Sequence, residues 1–312
     1  MTSPDPFHDG ERYVQERTGE RKAALRNGPI VGAAIPPGAM VFLAQQRMLA
    51  IGSVDDQGTL SATLVFGAPA LVASVDGRSV IIDRTRIEAN PGDAVWSNLR
   101  AGADVGLLAI ELGTRRRLRI NGIVSSVDDR RIDVTVREAY PNCPKYIQRR
   151  TFRDVHEAHA AEPPARASGV SLDEARSRLV ERADTLFVAS RHPTRGIDIS
   201  HRGGAPGFVR IVEPDRLRIP DYAGNSMFNT LGNFVVDDRA GLVFLDFDGG
   251  SLLQMTGTVT VRFDEVEDPS QPTGGTGRYW HFDLTSWVEL PAATRLVWEF
   301  LGFSPYNPSA PK

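Results

Sequence analysis

The stretch VGLLAIELGTRRRLRINGIV, residues 105–124, has a counterpart later in the chain in AGLVFLDFDGGSLLQMTGTV, residues 240–259. The two stretches align without a gap, so that Gly106 corresponds to Gly241. A segment that recurs within one chain indicates a duplicated structural unit. The sequence therefore predicts two copies of one domain.

The similarity continues upstream of these two stretches. FLAQQRMLAIGSVDDQG, from Phe42, resembles FVASRHPTRGIDISHRG, from Phe187, and GDAVWSNL, from Gly92, resembles GNSMFNTL, from Gly224. Each copy contains about six short β-rich runs separated by Gly, Pro and Asp turns, together with one helix-like segment. This pattern predicts a small barrel in each copy and a chain that is mainly β with some helices, an α+β fold class.

The segment AEPPARASG has the composition of a linker between the two copies. We therefore divide the chain into residues 1–165, with an N-terminal helix over about residues 10–26 and the first copy, and residues 166–312, with a linker helix and the second copy. Ser171 and Glu174 form a capping-box pattern at the start of the linker helix, LDEARSRLVERAD. Both helices are expected to pack on the barrel exteriors, and we assign them no chemistry.

The composition limits the classes of protein to which the chain can belong. Of its 312 residues 41% are apolar and 24% are charged, which is typical of a globular protein with a sizeable core. Cys143 is the only cysteine, so no internal disulfide is possible. The net charge of -3 gives no overall attraction to nucleic acid, although RRRLR at 115–119 is a basic cluster. Without a run of about 18 apolar residues or a leader-like N-terminus, we expect a soluble, cytoplasmic protein that binds neither nucleic acid nor membrane.

The segment IPDYAGNSMFNTLGN, residues 219–233, is unusually rich in asparagine. If a helix begins near Asn225, then Asn225, Asn229 and Asn233 share one face of it. Asparagine is disfavoured in helices by roughly 0.5 kcal/mol relative to alanine, so a face made of it suggests a ligand. A helix N-terminus attracts anions, and carboxamides both donate and accept hydrogen bonds, which favours a phosphate with a polyol attached. The alternative is that Asn225 caps the helix and the other two are surface residues.

Four segments in order carry a resemblance to a known family: FHDGERYVQER at 7–17, PNCPKYIQ at 141–148, SRHPTRGIDISHRGG at 190–204, and the asparagine-rich segment. With them the sequence resembles the pyridoxamine 5'-phosphate oxidase-related family of FMN-binding split β-barrels. It is most similar to the bacterial subgroup described as predicted flavin-nucleotide-binding proteins. The resemblance spans nearly the whole chain. It implies two tandem split β-barrels that form a pseudo-dimer within one chain, which exists as a monomer or a homodimer.

The resemblance implies FMN, with its phosphate near the start of the barrel helix and its ring in a groove between two barrels. The family's oxidases have an Arg-Lys pair at the start of that helix. This chain has GNSMFN there, so Lys145, Arg117 or Arg119 would have to supply the positive charge. Arg119 corresponds to Gln254, in a strand that reaches the partner's flavin in the family. The cofactor-binding candidates are Arg117, Arg119, Asn142, Lys145, Gln148, Pro220, Asp221, Tyr222, Asn225, Phe228, Asn229 and Gln254.

Other polar residues are candidates for contact with a substrate. His192, His201 and Arg202 lie in or beside turns of the predicted strands of the second copy, where they could face the substrate side of the flavin, although surface residues would give the same pattern. His156 and His159 could share one helical turn, but no third ligand is evident, so we predict no metal site. Motifs of dinucleotide-binding folds, P-loops and nucleophile elbows are absent from the sequence. No catalytic residue is identified.

The family resemblance implies an FMN-binding flavoprotein, and more specifically an FMN-dependent oxidoreductase that acts on a small-molecule redox substrate. In such a protein the cofactor carries the redox chemistry, and the chain supplies orientation and electrostatics. The alternative is a non-enzymatic carrier or sensor that binds a flavin, a deazaflavin or haem. Because the asparagine-rich segment occurs only in the second copy, we expect one flavin per chain.

Overall fold

The computed structural model describes residues 5–88, 92–154 and 165–308. Within these residues, no helix is both long enough and apolar enough to span a membrane. The α-helices are α1 (Asp9–Arg17), α2 (Arg21–Asn27), α3 (Pro37–Ala44), α4 (Val95–Asn98), α5 (Glu174–Arg182) and α6 (Asn229–Phe234), and short 3-10 helices cover Gly28–Ile30 and Arg84–Arg86.

The strands form two large sheets and one ribbon. The first sheet contains β1 (Met48–Val54), β2 (Leu60–Phe66), β3 (Val72–Ala73), β4 (Ser79–Asp83), β5 (Asp104–Glu111), β6 (Arg116–Val127) and β7 (Arg131–Pro141). A separate ribbon pairs β8 (Arg149–Asp154) with β17 (Leu296–Gly302). The second sheet contains β9 (Ala167–Gly169), β10 (Thr185–His192), β11 (Gly196–Gly203), β12 (Arg210–Glu213), β13 (Arg216–Pro220), β14 (Arg239–Leu245), β15 (Leu252–Arg262) and β16 (Tyr279–Leu290).

The two sheets follow the same path. The first has the order β2-β1-β5-β6-β7-β4-β3, and the second has the order β11-β10-β14-β15-β16-β13-β12, with β9 added beside β16. Each strand of the first sheet thus has a counterpart in the second, and all the pairings are antiparallel. The prediction of a mainly β chain with a few helices is confirmed. The division at residue 165 and the tandem split-barrel pseudo-dimer stay predictions.

The glycines that define the sequence repeat lie where the two sheets touch. A side chain on Gly106, in β5, would come within 2.9 Å of the backbone of Asp198 and Ile199 in β11. A side chain on Gly241, in β14, would come within 2.8 Å of the backbone of Ala62 in β2. The contacts are reciprocal, since each sheet presents its glycine to the edge strand of the other. Only glycine permits backbones to approach this closely.

Apolar side chains form one core in each sheet and another between them. Val105 and Val134 belong to the core of the first sheet, and Leu186 and Phe282 belong to that of the second. Alternate residues of the same strands face the opposite way, as the period of two in a strand requires. The core between the sheets includes Ala50, Ala62, Leu108, Phe187, Ala189, Ile199 and Val243. The two sheets therefore share a buried interface.

The N-terminal segment differs from the prediction of one helix over residues 10–26. Gly19 adopts a φ of 71°, a left-handed conformation that ends α1, and the chain turns back into α2. The side chain of His8 accepts from the N–H of Glu11, and Glu11 accepts from the N–H of His8, which caps α1. The linker helix is capped by Asp173 rather than by Ser171, because the carboxylate of Asp173 accepts the N–H of Arg176.

The hairpin of α1 and α2 packs on α6, the helix between β13 and β14. A side chain on Gly10 would lie 2.1 Å from the carbonyl oxygen of Gly232, and one on Gly232 would lie 2.7 Å from the backbone of Glu11. The two helices are therefore in backbone contact. Our prediction that the N-terminal helix packs on a barrel exterior stays a prediction.

Replacing Gly10 with alanine should loosen the contact between α1 and α6. A methyl group at this position has no space, so the free energy of unfolding should fall by about 3 kcal/mol, as for an overpacked core. Gly38→Ala is the matched control, because nothing lies within 4 Å of that position and alanine favours the helix there by up to about 1 kcal/mol. Urea unfolding measures both. Equal midpoints for Gly10→Ala and wild type would contradict the contact.

Candidate functional site

A cleft opens between the two sheets, with an empty volume of about 890 Å³ that includes its open mouth. One wall comes from β6 and the segment after β7, and the other comes from β11, the end of β13 and the segment that leads into α6. The cleft brings together these residues singled out in the sequence: Arg117, Arg119, Asn142, Lys145, His201, Arg202, Pro220, Asp221, Tyr222, Asn225, Phe228 and Asn229. Its two walls belong to the two halves of the chain.

Three of the candidates lie away from the cleft. Gln148 is buried and holds the backbone N–H of Ser304 at 2.7 Å. Gln254 donates to Asp93 at 3.1 Å, and His192 lies 2.9 Å from the carboxylate of Asp9. Each of these side chains therefore has a partner elsewhere in the protein. His156 and His159 lie outside the described residues.

Two cations of the cleft have no carboxylate partner among the described residues. The guanidinium of Arg117 donates to the carbonyl oxygen of Cys143 and approaches Nδ1 of His201 at 3.2 Å, and its Nε is buried without a hydrogen bond. Burial, followed by the nearby cations of Arg119 and Arg202, lowers the pKa of Arg117. Lys145 is half-buried with its ammonium 5.4 Å from the ring centroid of Tyr306. Since an uncompensated charge is costly to bury, the two cations favour an anionic ligand.

The other arginines of the basic cluster serve the protein itself. Arg119 is buried, pairs with Asp198 at 2.9 Å and donates to the hydroxyl of Tyr140 at 2.9 Å. Arg115 donates to the carbonyl oxygen of Ile147 at 2.8 Å. Arg116 points to the opposite face of β6, where it covers the ring of Phe42. Within RRRLR, Arg117 is thus the residue whose charge is directed to the cleft.

His201 lines the cleft as a buried imidazole. It is buried, and its pKa is held well below the usual value by burial and by the cations of Arg117 and Arg202. The imidazole is therefore neutral. The guanidinium of Arg117 lies beside Nδ1, which makes Nδ1 the acceptor and places the proton on Nε2. Nε2 is buried and has no hydrogen-bond partner among the described residues.

Asp221 cannot act as a free carboxylate in this cleft. It is buried between two arginines and accepts from Arg202 at 2.9 Å and from Arg278 at 2.9 Å. Arg278 also pairs with Glu20 of the N-terminal hairpin at 3.1 Å. This chain of ion pairs fixes the end of β13 against the hairpin. It shapes the wall of the cleft and leaves no unpaired carboxylate at Asp221.

Aromatic rings line the part of the cleft near Lys145. The rings of Tyr146 and Tyr222 lie 4.8 Å apart, and the hydroxyl of Tyr146 donates to the carbonyl oxygen of Ala223 at 2.9 Å. Tyr146 adopts a φ of 64°, which is uncommon for a residue with a side chain. Such strain persists where the surrounding structure enforces it. The two rings offer a planar ligand an apolar surface next to the cations.

The asparagine-rich segment differs from its prediction. The helix begins at Asn229, four residues later than predicted, because Ser226 and Phe228 adopt φ values of 62° and 63°. Asn225 lies in the turn before the helix, and its Oδ1 accepts the N–H of Met227. Asn233 donates to Ser190 inside the protein at 2.9 Å. The three asparagines therefore do not form one ligand-binding face.

The N-terminal hairpin supplies residues that sequence reasoning missed. Asn229 donates to the carboxyl of Glu11 at 2.5 Å, and Ser226 donates to Glu20 at 2.7 Å. Gln15 donates to the carbonyl oxygen of Met227 at 3.0 Å. These contacts hold the segment that forms one wall of the cleft. The signal in the sequence was the segment FHDGERYVQER, which carries Glu11 and Gln15 among the residues of the family resemblance.

Glu11 is a carboxyl group buried almost completely, with 2% of its surface exposed. Burial raises its pKa to about 8, and the carboxylates of Glu138 and Asp198 act in the same direction. Two donors, the N–H of His8 and the amide of Asn229, partly compensate for the loss of water. The protonated form is therefore favoured in the folded protein.

No protein-family model and no curated protein matches the chain. Solved structures show partial likeness. HupZ of Group A Streptococcus is 11% identical over 36% of this chain and 89% of its own, with a TM-score of 0.30. A candidate pyridoxamine 5'-phosphate oxidase of Lactobacillus delbrueckii is 11% identical over 38% of this chain and 94% of its own, with a TM-score of 0.32. The FAD binding protein of Mycobacterium smegmatis is 13% identical over 36% of this chain and 97% of its own, with a TM-score of 0.24. Likeness at this level carries no argument about what the chain does.

The raised pKa of Glu11 predicts that the protein loses stability as the pH rises. An unfolded glutamate titrates near 4.5, so the folded state binds the proton more tightly. The free energy of unfolding should fall between about pH 4.5 and 8, by up to about 1.4 kcal/mol per pH unit from this group. Glu11→Gln should flatten this fall, whereas Glu16→Gln, exposed on the same helix, should follow wild type. Urea unfolding at several pH values measures the slopes, and parallel slopes for Glu11→Gln and wild type would refute the assignment.

Proposed function

We propose that the cleft binds FMN and that the protein is an FMN-dependent oxidoreductase of the pyridoxamine 5'-phosphate oxidase-related family, with a small-molecule redox substrate. The observation that carries the proposal is the pair of unneutralised cations, Arg117 and Lys145, beside the rings of Tyr146 and Tyr222 in one cleft. FMN combines a phosphate dianion with a planar ring system. The cleft offers a partner for each part.

The residues present fit this cofactor. Arg117 and Lys145 would hold the phosphate, since charge-assisted hydrogen bonds to phosphate are the strongest that a protein forms with a small ligand. The buried Oδ1 of Asn142 and the buried Nε2 of His201, two residues that line the cleft, have no hydrogen-bond partner among the described residues, although buried polar atoms normally have one. FMN, when bound, supplies the electron-transfer chemistry. The chain's own contribution is to bind and orient the ligand and to keep its charge out of water.

The symmetry-related position in the other half has lost these groups. By the strand registers, Leu252 takes the place of Arg117, and Leu64 and Val65 take the places of His201 and Arg202. Apolar side chains there offer neither charge nor hydrogen bonds. We therefore propose a pseudo-dimer of two split barrels with one working cleft per chain, and not two.

The cofactor content of the purified protein tests this proposal. We expect a flavin absorption spectrum, and release of about one FMN per chain on denaturation, identified by chromatography. A colourless protein that also fails to bind added FMN would overturn it. Anaerobic titration with reduced nicotinamides then separates an oxidoreductase from a carrier. The flavin of an oxidoreductase is bleached by the nicotinamide and reoxidised by an acceptor, whereas the flavin of a carrier keeps its colour. A haem or deazaflavin spectrum would instead favour the carrier or sensor that the sequence left open.

Removing either unneutralised cation should weaken FMN binding. A hydrogen bond to a charged group contributes about 1.5 to 3 kcal/mol, so Arg117→Ala and Lys145→Ala should each raise the Kd for FMN by about 10- to 100-fold. Arg116→Ala is the matched control, because this neighbour on the same strand faces Phe42 instead of the cleft. Fluorescence titration of the apo proteins measures the three constants. If all three variants bind FMN as wild type does, the two cations do not hold the phosphate.

A further inference from the structure

The side chain of Asn229 connects the cleft to the buried carboxyl of Glu11. Asn229 is half-buried, lines the cleft and also lines a smaller cavity on the side of Glu11. Its Nδ2 donates to Oε1 of Glu11 at 2.5 Å. The other oxygen of Glu11, Oε2, accepts the backbone N–H of His8 at 2.8 Å. One N–H of the Asn229 amide is thus already used within the protein.

The hydrogen bond to Glu11 decides which end of the amide is available to a ligand. A carboxamide has donors at one end and an acceptor at the other, and the two ends are nearly equal in size. With Nδ2 turned to Glu11, where it donates one of its two N–H groups, Oδ1 lies at the other end of the amide. An acceptor oxygen attracts hydroxyl and N–H groups and repels phosphate oxygens. The sequence predicts that the amide of Asn229 contacts phosphate or ribityl oxygens, and of these two the geometry favours the ribityl hydroxyls, which can donate to Oδ1.

The position of Glu11 is fixed by packing as well as by hydrogen bonds. Glu11 is 2% exposed, and its backbone lies against Gly232 in α6, where a side chain would have no space. Four charged or titratable groups surround it: His8 on its own helix, Glu138 on β7, Arg195 just before β11, and Asp198 on β11. Arg119 and Tyr140 lie further off on β6 and β7. Oε1 of Glu11 accepts from Nδ2 of Asn229 when the carboxyl is ionised, and also when it is neutral with its proton on Oε2. The amide orientation shown by the structure corresponds to these two forms.

We propose that Glu11 is a positioning residue that turns the Oδ1 of Asn229 toward the cleft. Asn229 then recognises a hydrogen-bond donor of the ligand, such as a polyol hydroxyl or a ring N–H, and does not recognise its phosphate. The inference rests on the proposed function and deepens it, because it divides the cleft into two parts. Arg117 and Lys145 hold the anion. Asn229, oriented from the N-terminal hairpin, selects the uncharged polar part that FMN shares with riboflavin.

Two ligands that differ only in the phosphate separate these roles. Asn229→Ala should raise the Kd for FMN and for riboflavin by the same factor, about fivefold, the value of a hydrogen bond between neutral groups. Arg117→Ala should affect FMN and leave riboflavin within twofold of wild type. Inorganic phosphate, used as a competitor of FMN, should have the same inhibition constant in wild type and in Asn229→Ala. A loss confined to FMN, or weaker inhibition by phosphate in Asn229→Ala, would overturn the proposal.

Substitutions of Glu11 test positioning against a merely structural role. Glu11→Gln keeps an acceptor oxygen for Nδ2 of Asn229, so its Kd for both flavins should stay within twofold of wild type. Glu11→Ala should weaken both flavins by up to about fivefold, and combined with Asn229→Ala it should cause no further loss, because the two residues act through one contact. Additive losses, or no loss in Glu11→Ala, would contradict the proposal. If wild type binds neither flavin, the proposed function fails instead. The hydrogen bond between Glu11 and Asn229 can then still be measured, as the coupling energy between Glu11→Ala and Asn229→Ala in the free energy of unfolding.

Discussion

The close contact between the two sheets at Gly106 and Gly241 is the constraint on which the rest of the structure depends. It lets backbone meet backbone at these two points, where β5 lies on β11 and β14 lies on β2. A residue with a side chain at either position would separate the sheets. The separation would part Arg117 in one half from His201 in the other, which approach each other at 3.2 Å. The cleft exists because the halves are this close.

Within the cleft, most of the buried cations are neutralised by carboxylates, and two cations are not. Arg119 is matched by Asp198, and Arg202 and Arg278 share Asp221. Buried ion pairs of this kind are costly to break and fix geometry. Arg117 and Lys145, the remaining pair, have no such match among the described residues. The difference between paired and unpaired cations is what gives the cleft a chemical preference for an anion.

The N-terminal hairpin completes the site from outside the two sheets. Glu11 and Glu20 hold the segment that runs from Ser226 to Asn229, and Gly10 and Gly232 bring the helices into contact. The hairpin contributes no side chain to the charged wall. It acts by deciding how the opposite wall is oriented. A carboxyl group as deeply buried as Glu11 is unfavourable when ionised, which links the docking of the hairpin to pH.

The sequence by itself determined the mainly β class, because alternating strands leave a periodic record in the chain. It also singled out most of the candidate residues that line the cleft, and the duplication that its matched glycines indicate stays a prediction. It could not determine which polar groups are already paired. Gln254 and Gln148 look as available as Asn142 in sequence, yet they bind Asp93 and Ser304. The helix start near Asn225 was wrong because tertiary contacts to the hairpin impose positive φ values on Ser226 and Phe228. Burial and pairing depend on residues far apart in the chain, so only the tertiary structure decided that Arg117 has no carboxylate partner among the described residues, that Glu11 is buried, and which way Asn229 points.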